Sequence, residues 1–566
     1  MKVKIKSAKW LFPVFFSLTL VCALIMSIYV CSQKNQWYID EVWTYGLSNS
    51  YDKIFLYDIF QHGPNELEEI NAENGIENFT NRWQDGSVFR DYITVQKGEE
   101  FSYDNVFRNQ SNDVHPPLYY SIIHTICSFF SDTYSKWYVF APNISFYMIS
   151  MILLFAVAYK LTQSKLKSLF IMIFWGFSQA AVSNYTFCRM YMLLTVFVLS
   201  FILIHITVLE KEEFAFRNII PLFLVCIAGF LTQYYFYIYA FFGAAFTCLV
   251  FLGKKKWKSL FTYAGTVLIS VGTAFAVFPS IFTHISSSPR SVSSLTSVFR
   301  LKMTMSTLTR YNRNIFSKCF NIELPSMDYF INLFLFFILP LVVLIIVVML
   351  WLISLIKKRD IFENVKNKSS LLFILISVFA TYVVMAAISP IGSSFEDRYL
   401  YVFYPVICML IAFLLFALCE RIAVKIKKIP AMVFSAIVIC FFSILGISNY
   451  VSTDVLKDGE MTTSDLGSLI SGKNCVVVPA YDYIIHVNVP ELIEAEQVYI
   501  ASDLNSAVYA INEASEKDTV FCVLASTAEN VELGNLDSEY EYKGRVQWGD
   551  HGDDAKFDIY YVKTGM

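Results

Sequence analysis

Two adjacent carboxylates, Asp40 and Glu41, stand inside the segment Trp37-Tyr38-Ile39-Asp40-Glu41-Val42-Trp43-Thr44-Tyr45-Gly46, just past the first apolar stretch of the chain. A positioned carboxylate can take a proton from a reacting hydroxyl, and a like-charged neighbour can tune it. The same pattern also fits a membrane-edge belt of Trp and Tyr with two solvated acids. A second cluster, Asp113-Val114-His115-Pro116-Pro117-Leu118-Tyr119-Tyr120, holds His115 immediately before two prolines. Proline is tolerated in the first turn of a helix, where a missing N–H costs nothing, so the spacing predicts a helix start with His115 at its N-terminal end. Two arginines complete the set. Arg189 lies in Ser183-Asn184-Tyr185-Thr186-Phe187-Cys188-Arg189-Met190-Tyr191, and Arg398 in Ser394-Phe395-Glu396-Asp397-Arg398-Tyr399. A guanidinium in a tight turn between apolar stretches can fork onto an anion, or it can snorkel or pair with a nearby acid. Tyr191, and Tyr234 with Tyr235 in Thr232-Gln233-Tyr234-Tyr235-Phe236-Tyr237, could line a substrate groove or belong to the aromatic belt.

Residues so far apart in sequence can act together only if the elements between them return to one place. Of the 566 residues, 56% are hydrophobic and only 16% charged. A soluble surface needs roughly 25% charge, so most of this chain must face lipid. Apolar stretches long enough to cross a bilayer run near 11–31, 137–159, 168–184, 190–209, 218–231, 233–252, 259–280, 329–356, 370–389, 399–419 and 431–449. The first has no cleavage motif after it and reads as a retained span. Basic clusters mark alternate connections: Lys160 with Lys165 and Lys167, Lys211 with Arg217, Lys254–Lys256 with Lys258, Lys357–Arg359, and Arg421 with Lys425, Lys427 and Lys428. Lys and Arg favour cytoplasmic ends, and all of these fall on one side only if 116–131 does not cross. The expectation is therefore a mostly α, polytopic transmembrane bundle of about eleven spans in the plasma membrane, N-terminus cytoplasmic and C-terminus outside.

On that layout the first loop, 32–136, the loop 281–328 and the tail from 451 lie outside. The domains expected are a membrane domain over 1–450 and a soluble extracytoplasmic α/β domain over 451–566. Strands are predicted at 475–479, 497–501, 519–524, 539–548 and 556–563, the first three alternating with helices as in βαβ units. The tail carries about 20 acids against about 7 bases, so it should be soluble rather than lipid-bound. No glycine-rich phosphate loop follows its first strand, which favours a binding or stabilising role. The twelve cysteines show no paired spacing and read as core packing.

The Asp-Glu pair after the first helix, the HPPLYY box, the CRMYMLLT stretch and the late DRYLY turn together resemble the GT-C glycosyltransferases. The likeness is to the protein O-mannosyltransferase and aminoarabinose-transferase type, over residues 1 to about 420. Here Phe187-Cys188 stands before Arg189, where the family usually carries Ala or Glu-Ala. The resemblance implies transfer of a sugar, with inversion, from a polyprenyl-phosphate donor to an acceptor hydroxyl at the outer face. Asp40 is then the general base, and Glu41 orients the acceptor or tunes Asp40. Arg398 and Arg189, with His115, bind the donor phosphate, whose departure needs positive charge more than a general acid. Tyr191, Tyr234 and Tyr235 line the substrate groove. Some members need a divalent cation; with only Asp40, Glu41, Asp113 and His115 nearby, no cofactor or metal is expected. The acceptor is a protein, a lipid or a polysaccharide, and nucleic acid is not expected as a partner. The rival readings are a multi-span polysaccharide polymerase or ligase, and a lipid-linked sugar transporter. A transporter usually carries midplane charges and internal repeats, and neither is evident.

Overall fold

The computed structural model describes residues 11–34, 37–50, 81–286, 301–322, 324–325, 327–339, 342, 368–388, 396–426, 430–451, 461, 463–478, 489–514, 519–524, 539–547 and 556–563. The chain is a multi-pass membrane protein, mostly helical, with a small sheet near its C-terminal end. Eight helices among the described residues are long and apolar enough to cross a bilayer, and a ninth span forms if one bent pair is counted together. These eight are α1 (Leu11–Gln33), α6 (Trp137–Thr162), α9 (Tyr191–Lys211), α11 (Tyr235–Gly253), α12 (Trp257–Val277), α15 (Lys368–Ile388), α16 (Tyr404–Ile426) and α17 (Ala431–Val451).

The remaining expected spans differ in form. Over 168–184 the chain makes α7 (Lys165–Gly176) and α8 (Gln179–Thr186), bent by 58°. The bend has a local cause. Ser178 leaves helical geometry and its side chain accepts from the Ala181 N–H, restarting the helix as an N-cap. Over 218–231 lies α10 (Ile219–Phe230), a short apolar helix packed between α9 and α12. At 329–356 only the start, a short apolar helix over Tyr329–Ile338, falls within the described residues. The HPP box opens α5 (Leu118–Ser128), whose 11 residues reach only ~16 Å at 1.5 Å per residue, about half the hydrocarbon thickness.

The described part of the first loop is a helical layer. It holds α2 (Ile39–Asn49), α3 (Ser87–Ile93) and α4 (Tyr103–Asn112), with α5 completing it. Tyr45, Tyr92, Val106, Tyr119 and Ile123 are fully buried there, part of the same core as the membrane helices. Short α13 (Ile281–Ser286) and the polar α14 (Leu301–Phe320) follow α12.

The C-terminal strands occur where the alternation places them: β2 (Asn474–Val478), β3 (Gln497–Ile500), β4 (Thr519–Leu524), β5 (Glu539–Gln547) and β6 (Lys556–Lys563). Strands β2, β3 and β4 are parallel, and β6 and β5 add antiparallel. The sixth strand was not expected. It is β1 (Trp83–Asp85) from the first loop, and it pairs antiparallel with β3, giving the order β1-β3-β2-β4-β6-β5. The tail sheet thus takes in part of the first loop. The Gly86 N–H donates to the Glu496 carbonyl at 3.1 Å, and Arg90 donates to the Ile493 carbonyl at 2.9 Å. Gly86 must be glycine: a Cβ there would fall 2.0 Å from the Ala495 carbonyl oxygen.

Candidate active site

Helix α2 carries both acids in its first turn, where a carboxylate is favoured by the helix dipole. They point to different places. Glu41 is fully buried and pairs with Lys34, itself buried. It also accepts from the Tyr38 N–H at 2.9 Å, closing the helix N-terminus, and from the Cys188 N–H at 2.8 Å. Lys34 in turn donates to the Thr186 carbonyl at 2.8 Å. The expected partner of Asp40 is therefore spent on holding the 186–188 turn. Asn143 donates to the Phe187 carbonyl at 3.0 Å, and Thr44 to the Cys188 carbonyl at 2.8 Å. This clamp fixes the backbone that presents Arg189. Burial pushes the Cys188 thiol up, so it stays protonated and is packing rather than a nucleophile.

Asp40 lies one residue earlier on the helix and faces a partly open site; its side chain is 16% exposed. Arg398, from the short 3-10 turn Glu396–Leu400 before α16, pairs with one carboxylate oxygen. Arg189 stands 3.8 Å from the other and also donates to the Asp40 carbonyl at 3.2 Å. Arg189 is 4% exposed. Burial works against its charge, but Tyr120, Asp40 and Asp113 outweigh it, and its pKa is raised above the ordinary arginine value. Arg398 behaves alike, with burial opposed chiefly by Asp40. Both remain cations.

His115 joins from the HPP box. Its Nδ1 is 2.6 Å from an Asp113 carboxylate oxygen, and its Nε2 is 3.4 Å from an Arg189 nitrogen. Guanidinium can only donate, so Nε2 accepts and Nδ1–H donates to Asp113. The box itself is tied down by the Leu118 N–H, which donates to the Leu231 carbonyl at 2.9 Å in the turn between α10 and α11.

Four separated segments thus bring Asp40, His115, Arg189 and Arg398 to one place. Of the groove tyrosines, Tyr191 is buried against Phe187 and Tyr401, with ring centroids 5.9 and 6.0 Å away. Tyr235 packs on Tyr399 at 5.1 Å, and the Tyr399 ring lies 5.4 Å from the Arg398 guanidinium. Tyr234 turns elsewhere: its hydroxyl donates to His284 at 2.6 Å, which donates to the Ser111 carbonyl at 3.0 Å. Among the described residues no cluster of three or more His, Cys, Asp or Glu could hold a metal ion.

The sequence reading passed over Lys34, Thr44 and Lys318. Lys318, on α14, donates to Ser183 at 3.3 Å and lies 5.1 Å over the Tyr401 ring. Lys34 stands seven residues before Glu41, and that spacing alone does not single out Glu41 over Asp40 as its partner.

No family model and no curated protein matches the chain. Among solved structures it is similar to ArnT from Cupriavidus metallidurans bound to undecaprenyl phosphate, with TM-score 0.41 and 9% identity over 96% of this chain and 97% of that one. The apo state of the same protein gives TM-score 0.36 and 9% identity over 84% and 95%. At these values the likeness is coarse, and the functional reading rests on the site.

Proposed function

We propose that this chain is a GT-C type membrane glycosyltransferase, transferring a sugar from a polyprenyl-phosphate donor to an acceptor hydroxyl at the outer membrane face. One observation carries the reading: a partly open carboxylate, Asp40, meets the buried guanidinium of Arg189 and the part-buried one of Arg398, delivered by separate turns of a membrane bundle. That set matches the demands of the reaction. The acceptor oxygen attacks the anomeric carbon as the carbon–oxygen bond to phosphate breaks, inverting the centre. The hydroxyl proton passes to Asp40 and polyprenyl phosphate leaves. Positive charge where phosphate develops its charge stabilises the transition state. Arg398 is assigned to that phosphate, with Arg189 beside it. In the free protein the Asp40–Arg398 pair is the resting form. Donor phosphate draws Arg398 away and releases the carboxylate for the incoming hydroxyl. His115 holds Arg189 by its ring nitrogen, and Glu41 is a positioning residue for the Arg189 turn.

The sidedness follows from three supports. The β1–β3 pairing requires an even number of crossings between the first loop and the tail sheet. The turns bearing Arg189, Leu231 and Arg398 meet that loop, while the described basic clusters, Lys160 with Lys165 and Lys167, Lys211 with Arg217, and Lys254–Lys256 with Lys258, lie at the opposite helix ends. Lys and Arg favour cytoplasmic ends, which supports a site and sheet on the outer side. The test is release of polyprenyl phosphate from a labelled polyprenyl-phosphate hexose by the purified protein. Turnover above the protein-free rate, giving product of inverted anomeric configuration when acceptor is present, is expected; no release from any such donor would sink the reading.

A further inference from the structure

Two neighbouring tyrosines open α5, and both are fully buried. Their hydroxyls have opposite fates. Tyr119 donates to the Asn143 side-chain oxygen at 3.0 Å, part of the scaffold beneath the 187 turn. The Tyr120 hydroxyl is buried and has no hydrogen-bond partner among the described residues. An unpaired buried hydroxyl is costly, and native structures leave few of them without a reason. Its surroundings supply one. The Arg189 guanidinium lies 5.9 Å from the Tyr120 ring centre and the His115 ring 6.4 Å away. The charged groups acting on the hydroxyl are Arg189, Asp113 and Asp40, with Tyr191 beyond them. Burial raises its pKa further, so it remains a proton donor at every working pH. Among the described residues nothing accepts that proton.

We propose that Tyr120 is a third substrate-binding group of the site, whose hydroxyl donates to an oxygen of the donor phosphate beside Arg189 and Arg398. Phosphate suits the position better than a sugar hydroxyl because Arg189 lies beside the Tyr120 ring and also faces Asp40, which Arg398 pairs, and phosphate is an acceptor-only anion with several oxygens. A neutral donor adds recognition there without competing with Asp40 for the guanidiniums. The inference rests on the proposed glycosyl transfer but is tested apart from it, by binding rather than turnover.

Polyprenyl phosphate, the product lacking any sugar, is the probe. Its affinity is measured by titration in detergent for the wild type, Tyr120→Phe and Tyr119→Phe, beside the thermal unfolding midpoint of each protein. Tyr120→Phe removes only an unpaired hydroxyl, so its midpoint should match or exceed that of the wild type. Its affinity for the probe should fall about 10-fold, as for the loss of one hydrogen bond to a charged group. Tyr119→Phe should show the reverse: a lowered midpoint and an affinity within about twofold of the wild type, since it breaks a scaffold bond far weaker in its effect on ligand. Equal affinity of wild type and Tyr120→Phe overturns the role of Tyr120 and leaves the glycosyl-transfer reading standing. A lowered midpoint in Tyr120→Phe also overturns it, because the hydroxyl would then have a structural partner. Failure of the wild type to bind the probe contradicts the proposed function itself, and this inference with it.

Discussion

Asp40 and Glu41 are adjacent in sequence and have opposite surroundings, because successive positions on a helix point about 100° apart. Asp40 looks into the site; Glu41 looks into the protein, where Lys34 and the Cys188 N–H claim it. Substitutions at the two positions should therefore do different kinds of damage. Glu41→Gln leaves the Lys34 ammonium buried without its counter-charge, which costs about 3–5 kcal/mol. Thermal unfolding in detergent should show a large fall in midpoint for Glu41→Gln, partly relieved in a Lys34→Met, Glu41→Gln double variant of neutral charge. Much of the site was legible at this scale. Asp40, His115, Arg189 and Arg398 are polar residues in turns between long apolar runs, and a polar group there needs a reason. The Lys34–Glu41 clamp was not, since no periodicity tells which of two neighbouring acids turns inward. Tyr120 was equally hidden: which of two buried tyrosines lacks a partner depends on Asn143, which arrives from another helix.

At the scale of elements, β1 is the part of the fold that sequence could not reveal. Trp83–Asp85 is three residues long, too short to carry an alternation, and its partner β3 lies some four hundred residues on. The longer tail strands were readable because β-branched and aromatic residues recur between turn-forming clusters. The short helix Val489–Leu492, here α18, sits at the junction between this sheet and the first loop and packs on α3. It buries Glu491, and burial holds that carboxyl well above the ordinary carboxylate range. The sign of the consequence follows from linkage. The folded protein keeps a proton that the unfolded chain releases near pH 4.3, so stability falls as pH rises from there through the folded-state pKa. Glu491→Gln cannot lose that proton. Its unfolding midpoint should exceed the wild type's at pH 8 and approach it at pH 4.5, as read by thermal unfolding across pH. A midpoint gap independent of pH would contradict the buried acid.

For the whole molecule, the shared sheet and the shared site support the same arrangement, with first loop, arginine turns and tail together on one side of the membrane, and this is a prediction to test. The hydropathy pattern carries the spans because hydrocarbon tolerates few charges. It blurs where a helix is bent at Ser178 or shortened as in α10, since a window of apolar residues records neither a bend nor a break. Single cysteines placed at Asp85, Ser502 and Lys255 separate the arrangements. In intact cells a membrane-impermeant maleimide should label the first two and spare the third; labelling of Lys255→Cys with protection of the others would invert the layout and remove the site from the outer face.

The central claim is that the Asp40 carboxylate drives sugar transfer from a polyprenyl phosphate. The most direct measurement compares wild type and Asp40→Asn, both folded by their unfolding midpoints, in transfer from a labelled polyprenyl-phosphate hexose with release of polyprenyl phosphate as the readout. Loss of the base should lower turnover by about 10²–10⁴-fold while the variant still binds polyprenyl phosphate. Turnover equal to that of the wild type would contradict the account.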